Sequence, residues 1–426
     1  MERNYHPGKN LLHKTKTHAF MILKSIYTIW LAASFFGFTA SCKEPDMPEA
    51  PAPTIPEKEL LVSSEKLTTV TAEGLKQIAL SNGQTELAAL VKYDVDVYRL
   101  TYLTTYKGHE VKASGLVTVP LKITSAAPIL SAHHGTTFDQ QYAPSNFSLN
   151  SLTGFEVFAA AGYLTVVPDY LGYMVSKQIF HPYYDVKHSG LAVVDMIKAG
   201  KSFFKKNNIK ASEDLFLAGY SEGGYVTLAA QKEIEENPSH GLTVTASGAG
   251  AGGYDLEGML ARVISGEAYQ YPANLAFILH AYNVTYDWNR PLTDFFQQPY
   301  ASRLQELLNG TRSSSSINPA LATDPAKLFN PAFLAALKGD GEQALKAALK
   351  KNSLKYFVPK SPTRLYHGTA DNMVPYVNST VTYEAMKAAG ATNVKFVPIK
   401  GGTHFSSLEP MIRDLIPWIE GFQTQQ

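Results

Sequence analysis

The chain has 426 residues, is 45% hydrophobic and 18% charged, and balances Lys+Arg 38 against Asp+Glu 37 for a net charge of +1. This is globular material with enough apolar residues for a large core, and the even charge, with no basic run beyond Lys205-Lys206 and Lys350-Lys351, argues against nucleic acid as a partner. A single cysteine, Cys42, excludes any intrachain disulfide.

Residues 1–20 form a polar preface with Arg3, Lys9, Lys14 and Lys16, and Met21 offers a second start that would leave a short basic leader. The run from Ile26 to Ala40 is almost wholly apolar, about fifteen residues long, which is short for a membrane span and suits the apolar region of a signal peptide. It ends in Phe38-Thr39-Ala40-Ser41-Cys42. Small residues before a cysteine resemble a bacterial lipobox, with Thr39 where leucine is usual. Residues 1–42 are therefore expected to be a lipoprotein signal peptide, with Cys42 lipidated as the first mature residue. The plainer alternative is a soluble-secretion signal with an incidental cysteine. Residues 43–60 are acidic and rich in proline, cannot bury apolar area, and read as an extended tether. The localisation expected is a Gram-negative cell envelope, with the lipid anchor making the membrane a partner.

Two short helical patterns follow, Ala72 to Leu80 and Gln84 to Val91. Strand patterns at Val95 to Thr104 and Val111 to Val119 are spaced as a hairpin across Tyr106-Lys107-Gly108. Strands and helices then alternate: Pro128 to Ala132 (strand), Gly154 to Ala161 (helix), Leu164 to Val167 (strand), Leu191 to Phe204 (helix), Leu215 to Ala218 (strand), Gly224 to Glu235 (helix) and Val244 to Ala246 (strand). Alternation lapses over 253–360, a helix-rich stretch with Tyr269, Tyr271, Phe277, Tyr282, Trp288 and Phe295. It resumes with Thr363 to Tyr366 (strand), Val381 to Ala389 (helix), Val394 to Pro398 (strand) and Met411 to Phe422 (helix). This order predicts a mostly parallel sheet with helices on both faces, built from 61–252 and 361–426, with 253–360 inserted as a helical cap.

The strand Leu215 to Ala218 runs into Gly219-Tyr220-Ser221-Glu222-Gly223-Gly224. Strand, Gly-x-Ser-x-Gly and helix in succession form a nucleophile elbow, whose glycines permit the close backbone approach that lifts the Ser221 hydroxyl above the sheet edge. A serine needs a base to take its proton and a carboxylate to orient that base. Asp371 follows the strand Thr363 to Tyr366 within His367-Gly368-Thr369-Ala370-Asp371. His404 follows the next strand within Gly401-Gly402-Thr403-His404, and no other histidine lies beyond Asp371. The order Ser221, Asp371, His404 is that of the α/β-hydrolase fold. The N–H of Glu222 and that of Thr136, in His133-His134-Gly135-Thr136, are the expected oxyanion donors. The Glu222 side chain is assigned only a favourable place in the first turn of a helix. Asp169 reads as a structural residue of the loop beside the site, and the segment His181-Pro182-Tyr183-Tyr184-Asp185 as either pocket lining or a helix cap. Adjacent His133 and His134 point apart and lack cysteine or carboxylate company, so no metal is expected, and the chemistry needs no cofactor.

With His134-Gly135-Thr136, Pro168-Asp169-Tyr170-Leu171-Gly172, His181-Pro182-Tyr183, the Ser221 elbow, His367 to Asp371 and Gly402-Thr403-His404 in hand, the chain resembles the secretory lipase family of α/β-hydrolases, including its bacterial esterase-like members. The resemblance runs from about residue 65 to the end and implies carboxylic-ester hydrolysis through an acyl-enzyme, with the cap shaping specificity. The aromatic cap suits lipid acyl chains and phenolic esters of plant polysaccharide alike. Two other readings stand beside this one: a prolyl-oligopeptidase-type peptidase, and a non-catalytic binding protein on a hydrolase scaffold.

Overall fold

The computed structural model describes residues 58–147 and 157–423. The signal segment, Cys42, most of the tether and the start of the helix expected from Gly154 lie outside the described residues. Among the described residues, nine strands, β1 (Leu61–Val70), β2 (Val95–Tyr106), β3 (His109–Pro120), β4 (Ala127–His133), β5 (Leu164–Pro168), β6 (Ala211–Tyr220), β7 (Ala246–Gly250), β8 (Thr363–Gly368) and β9 (Val394–Ile399), form one sheet. Its order is β1-β2-β3-β5-β4-β6-β7-β8-β9. Strands β5, β4, β6, β7, β8 and β9 run parallel, while β1, β2 and β3 pair antiparallel. This is the α/β-hydrolase arrangement, a mostly parallel sheet flanked by helices.

The β2–β3 hairpin turns on Lys107 (φ 49°) and Gly108 (φ 79°). Two positive φ angles in a two-residue turn match the right-handed twist of the paired strands. The inner parallel strands β5, β4, β6, β7 and β8 are largely buried on both faces, whereas the edge strand β9 exposes Lys395 and Pro398. In β6, Leu215 and Leu217 face one core with Val193, Met196 and Leu228, whereas Phe216, Ala218 and Tyr220 face the other with Phe158, Met411 and Leu415. The first core lies under helices α4 (Val186–Lys206) and α5 (Glu222–Glu236), and the second under the C-terminal helix Leu408–Glu420. Helices α1 (Ala72–Ser81), α2 (Thr85–Leu90) and α3 (Val157–Ala161) cover the rest of that second face.

Several elements differ from the sequence pattern, among them β6, which begins at Ala211 rather than Leu215, and the helix expected from Val381, which begins at Tyr376. Strand β1, Leu-Val-Ser-Ser-Glu-Lys-Leu-Thr-Thr-Val, shows no apolar alternation because it pairs only with β2 and exposes Val62 through Lys66. Charged residues on such an edge discourage pairing with a second chain. Strand β7 spans Ala246–Gly250, beyond the expected Val244 to Ala246. Its small residues have weak strand preference but let a helix press close: a Cβ on Gly248 would stand 2.5 Å from Leu415 Cδ1. Helix α4 begins at Val186, five residues before the expected Leu191, because Asp185 caps it, its carboxylate accepting the His188 N–H at 3.1 Å.

Between β7 and β8 the described chain is helical, beginning with α6 (Leu256–Ser265) and α7 (Pro272–Thr285) and ending with the helix Gln343–Asn352 and a short turn at Leu354–Tyr356. These helices and the sheet belong to one compact unit, Glu57–Gln426. The strands β4, β6, β8 and β9 run parallel, so the loops that leave their C-terminal ends gather on one edge.

Candidate active site

Four of those loops build the site. After β6 the chain turns into α5 at Ser221, which adopts φ 60° and ψ −125°. A non-glycine residue in that region stores on the order of 1–3 kcal/mol and persists only when its surroundings hold it. Here the Ser221 N–H donates to the Gly250 carbonyl at 2.8 Å, and the Ser221 carbonyl accepts from the Gly224 N–H at 2.9 Å. The elbow tolerates only glycine two positions to either side of the serine. A Cβ on Gly219 would lie 2.1 Å from the Gly223 carbonyl oxygen, and one on Gly223 would lie 1.9 Å from that of His133.

The structure brings Ser221, His404 and Asp371 together. Ser221 Oγ lies 2.9 Å from His404 Nε2, and His404 Nδ1 lies 2.7 Å from Asp371 Oδ2. Asp371 Oδ1 accepts the N–H groups of Met373 (2.9 Å) and Val374 (3.0 Å). Burial alone would raise the Asp371 carboxyl, but hydrogen bonds from His367 and His404 outweigh it and hold it at about 2. The carboxylate is therefore ionised at neutral pH, His404 Nδ1 carries its hydrogen, and Nε2 is left to accept from the Ser221 hydroxyl. Tyr220 steadies the loop from below, its hydroxyl donating to the His404 carbonyl at 2.6 Å.

His367 sits inside a segment the sequence singled out, yet its part in the site was not legible there. The ring is fully buried, with Nδ1 2.6 Å from Ser379 Oγ and Nε2 2.9 Å from the Val374 carbonyl. A carbonyl only accepts, so Nε2 carries a hydrogen, and Asp371 Oδ2 shares it from 3.2 Å. Two imidazoles thus converge on one carboxylate.

The expected oxyanion donors flank Ser221. Glu222 opens α5, where helix geometry leaves the first N–H groups without intrahelical partners. On the other side, Gly135 approaches the serine closely enough that a Cβ there would stand 3.4 Å from Ser221 Cβ. The Thr136 hydroxyl is 2.9 Å from that of Tyr183, and among the described residues its N–H has no backbone acceptor. His133 and His134 do point apart. Buried His133 bridges Ser131 Oγ (2.9 Å) and Thr227 Oγ1 (2.8 Å), and burial pushes it down to about 3, so the ring is neutral. His134 Nδ1–H donates to the Gly135 carbonyl at 2.8 Å, while its ring stacks on Tyr170 with centroids 4.2 Å apart.

Asp169 is structural in just the way its loop position suggests: its carboxylate accepts from Ser114 Oγ and from the Ser145 N–H at 2.6 and 2.7 Å. The segment from His181 to Asp185 does both things the sequence left open. Asp185 caps α4, while Tyr183 and Tyr184 line the cavity at Ser221. The Glu222 side chain stands in the first turn of α5, as expected, but makes a contact that the sequence did not indicate. It is 1% exposed and lies 2.6 Å from His181 Nε2.

The cavity over Ser221 holds about 450 Å³. Its floor is Gly135, Thr136, Ser221 and His404, and its opposite wall comes from α6 and α7 through Met259, Leu275 and Ile278. Phe405, beside His404 and 74% exposed, stands on its rim.

Comparison with known proteins agrees with this architecture. The chain is 25% identical over 274 residues to Candida albicans Lipase 5, covering 61% of this chain and 54% of that protein. It is 27% identical over 272 residues to Lipase 6 of the same organism, covering 61% and 55%. The chain thus spans about half the length of these curated relatives. Among solved structures, the esterase LipA of Xanthomonas oryzae, described as degrading rice cell wall, superposes with a TM-score of 0.77 at 24% identity, over 86% of this chain and all (100%) of that one. A Legionella pneumophila protein reaches 0.80 at 25% identity, over 86% and 99%. The model of the secretory lipase family matches residues 155–423, well over half of the sequence, and the chain belongs to that family.

Proposed function

We propose that this protein is a secreted serine hydrolase that cleaves carboxylic esters through an acyl-enzyme. The observation that carries the reading is the run of hydrogen bonds from Ser221 through His404 to an ionised Asp371, at 2.9 and 2.7 Å, opening on an apolar cavity. Ser221 Oγ attacks the ester carbonyl carbon while its proton passes to His404 Nε2. The oxygen that gains negative charge is held by the N–H groups of Glu222 and Thr136, and Asp371 stabilises the imidazolium. As the tetrahedral species collapses, His404 hands the proton to the departing alcohol. Water then attacks the acyl group, His404 takes the proton of that water, and its return to Ser221 Oγ releases the acid. No step calls for a cofactor.

The proposal extends to the N-terminus on sequence grounds: residues 1–42 as a lipoprotein signal, Cys42 as the lipidated residue, and 43–60 as the tether to a Gram-negative envelope membrane. The stretch 253–360, placed between β7 and β8 and contributing one wall of the cavity, is assigned as the cap that sets specificity.

Ser221→Ala tests the assignment. The variant should keep the wild-type circular dichroism and melting temperature, yet lose turnover of p-nitrophenyl esters by on the order of 10⁶-fold, as removal of such a nucleophile does elsewhere. It should also lose labelling by a fluorophosphonate probe. Undiminished hydrolysis in this variant would refute the assignment, and a folded wild-type protein that resists the probe would favour a binding role.

A further inference from the structure

One residue past Ser221, an acidic side chain is buried with a single partner. Glu222 Oε1 lies 2.6 Å from His181 Nε2, both side chains are all but inaccessible, and Glu222 Oε2 has no hydrogen-bond partner. On the far side of the ring, His181 Nδ1 is 2.7 Å from the Leu171 carbonyl. That oxygen can only accept, so Nδ1 carries a hydrogen. A 2.6 Å contact between Nε2 and Oε1 needs one more proton between them, and whichever atom holds it the pair has no net charge.

The neutrality matters because of where Glu222 stands. Its backbone N–H is one of the two donors assigned to the developing oxyanion, and a bare carboxylate on the same residue would oppose the charge that the N–H is there to hold. Among the described residues, no other group around Glu222 supplies a compensating positive charge. His134, on the loop after β4, is pushed down by burial. Tyr170 and Tyr173, after β5, and Tyr183 and Tyr184, before α4, are all pushed up by burial and stay neutral. Tyr170 donates to the His134 carbonyl and Tyr173 to that of Thr137, so neither hydroxyl serves Glu222. Lys177 and His280 line a separate cavity of about 340 Å³ that His181 also lines.

We infer that His181 is a positioning residue for this reaction: its proton neutralises Glu222, and its ring, fixed by Leu171, fixes the residue that supplies an oxyanion N–H. The inference rests on the ester-hydrolase reading. Wild-type turnover tests that reading, whereas the ratios among folded variants test this one.

The experiment compares His181→Phe, Glu222→Gln and the double variant for kcat and KM on p-nitrophenyl butyrate, with circular dichroism and melting to establish folding. His181→Phe takes away both the shared proton and the ring that fixes the Glu222 side chain, and should lower kcat on the order of 10²-fold, the scale of a lost oxyanion donor, with KM nearly constant. Glu222→Gln, which removes the charge, should lower kcat less than about fivefold, and the double variant should regain at least about tenfold over His181→Phe. A double variant as slow as His181→Phe, or slower, overturns the inference, because losses of mere packing do not rescue one another. If His181→Phe fails to fold, His181→Gln, which carries no such proton, takes its place beside Glu222→Gln and the corresponding double variant: the same regain of at least about tenfold is expected, and a double variant no faster than His181→Gln overturns the inference.

Discussion

The two sides of the cavity are built differently. On the sheet side, Ser221, His404, Asp371, His367 and Tyr220 are tied to one another or to backbone by hydrogen bonds of 2.6–3.0 Å. The strained Ser221 is clamped through both its N–H and its carbonyl. On the helical side, Tyr269, Tyr271, Asn274, Ser314, Ser315 and Asn318 supply polar lining, but the part formed by Met259, Leu275 and Ile278 is apolar and half-buried against a second apolar cavity of about 60 Å³. Directional bonds make the first side intolerant of displacement, since hydrogen bonds weaken steeply with angle and distance. Dispersion and hydrophobic contact make the second tolerant, since they depend on area and volume rather than on direction. The reaction is thus expected to depend on the first side and the choice of ester on the second.

The largest effect that can break this division is at Asp371. Asp371→Asn keeps the volume but offers His404 no carboxylate, so the imidazole loses the partner that selects its Nδ1–H tautomer. Turnover of every p-nitrophenyl ester, from acetate to dodecanoate, should fall by about 10⁴-fold with the acyl preference unchanged. A loss confined to some esters would mean that the loop also shapes specificity.

Gly223→Ala probes the same side through packing. The added Cβ would meet the His133 carbonyl oxygen at 1.9 Å, a backbone atom that cannot swing away. Destabilisation at or above the upper end of the usual overpacking range, about 3 kcal/mol, is expected in urea titrations, together with loss of activity. A variant as stable as wild type would show that the elbow can shift as a unit.

The acid limb of stability sharpens the point. Asp371 is held at about 2 in the folded protein, below its ordinary value near 3.8. A lowered acid stabilises the fold at pH values above the unfolded value, and that contribution is lost as pH falls from about 4 through 2. Asp371→Asn lacks it, so its urea midpoint should fall less steeply than that of wild type between pH 5 and 2.5. Parallel curves would mean that the His367 and His404 contacts do not persist in solution.

The same contrast explains what could be read from the sequence. Ser221, Asp371 and His404 were legible because each closes a recognisable strand and their order along the chain is that of the fold. The proposed oxyanion donors, the N–H groups of Thr136 and Glu222, were read from the loop after β4 and from the start of α5. The pairing of Glu222 with His181 was not legible, because it joins residues separated by 41 positions with no local pattern between them. Strand β1 was missed because an edge strand exposed to water need not alternate, and β7 was displaced because its glycines and alanines are chosen for the close approach of Leu415 and Met411 rather than for strand preference. Where tertiary packing sets the residue type, local preference gives the wrong answer.

The smallest expected effect lies on the helical side, at Ile278. It lines both the cavity at Ser221 and the small apolar cavity behind it, so its side chain forms part of the partition between them. Ile278→Ala should open that partition, and Ile278→Phe should close off space on the Ser221 side. A hydrophobic pocket discriminates by roughly 1–3 kcal/mol per methylene at most, so shifts of about tenfold in relative kcat/KM are the scale to look for. Relative to acetate, the alanine variant should favour dodecanoate over butyrate and the phenylalanine variant the reverse, while kcat on acetate stays within about threefold of wild type in both. Opposite shifts from two substitutions at one residue cannot come from a general loss of activity. Shifts in the same direction would instead place the acyl group elsewhere in the cavity, with the alcohol of the ester against α7.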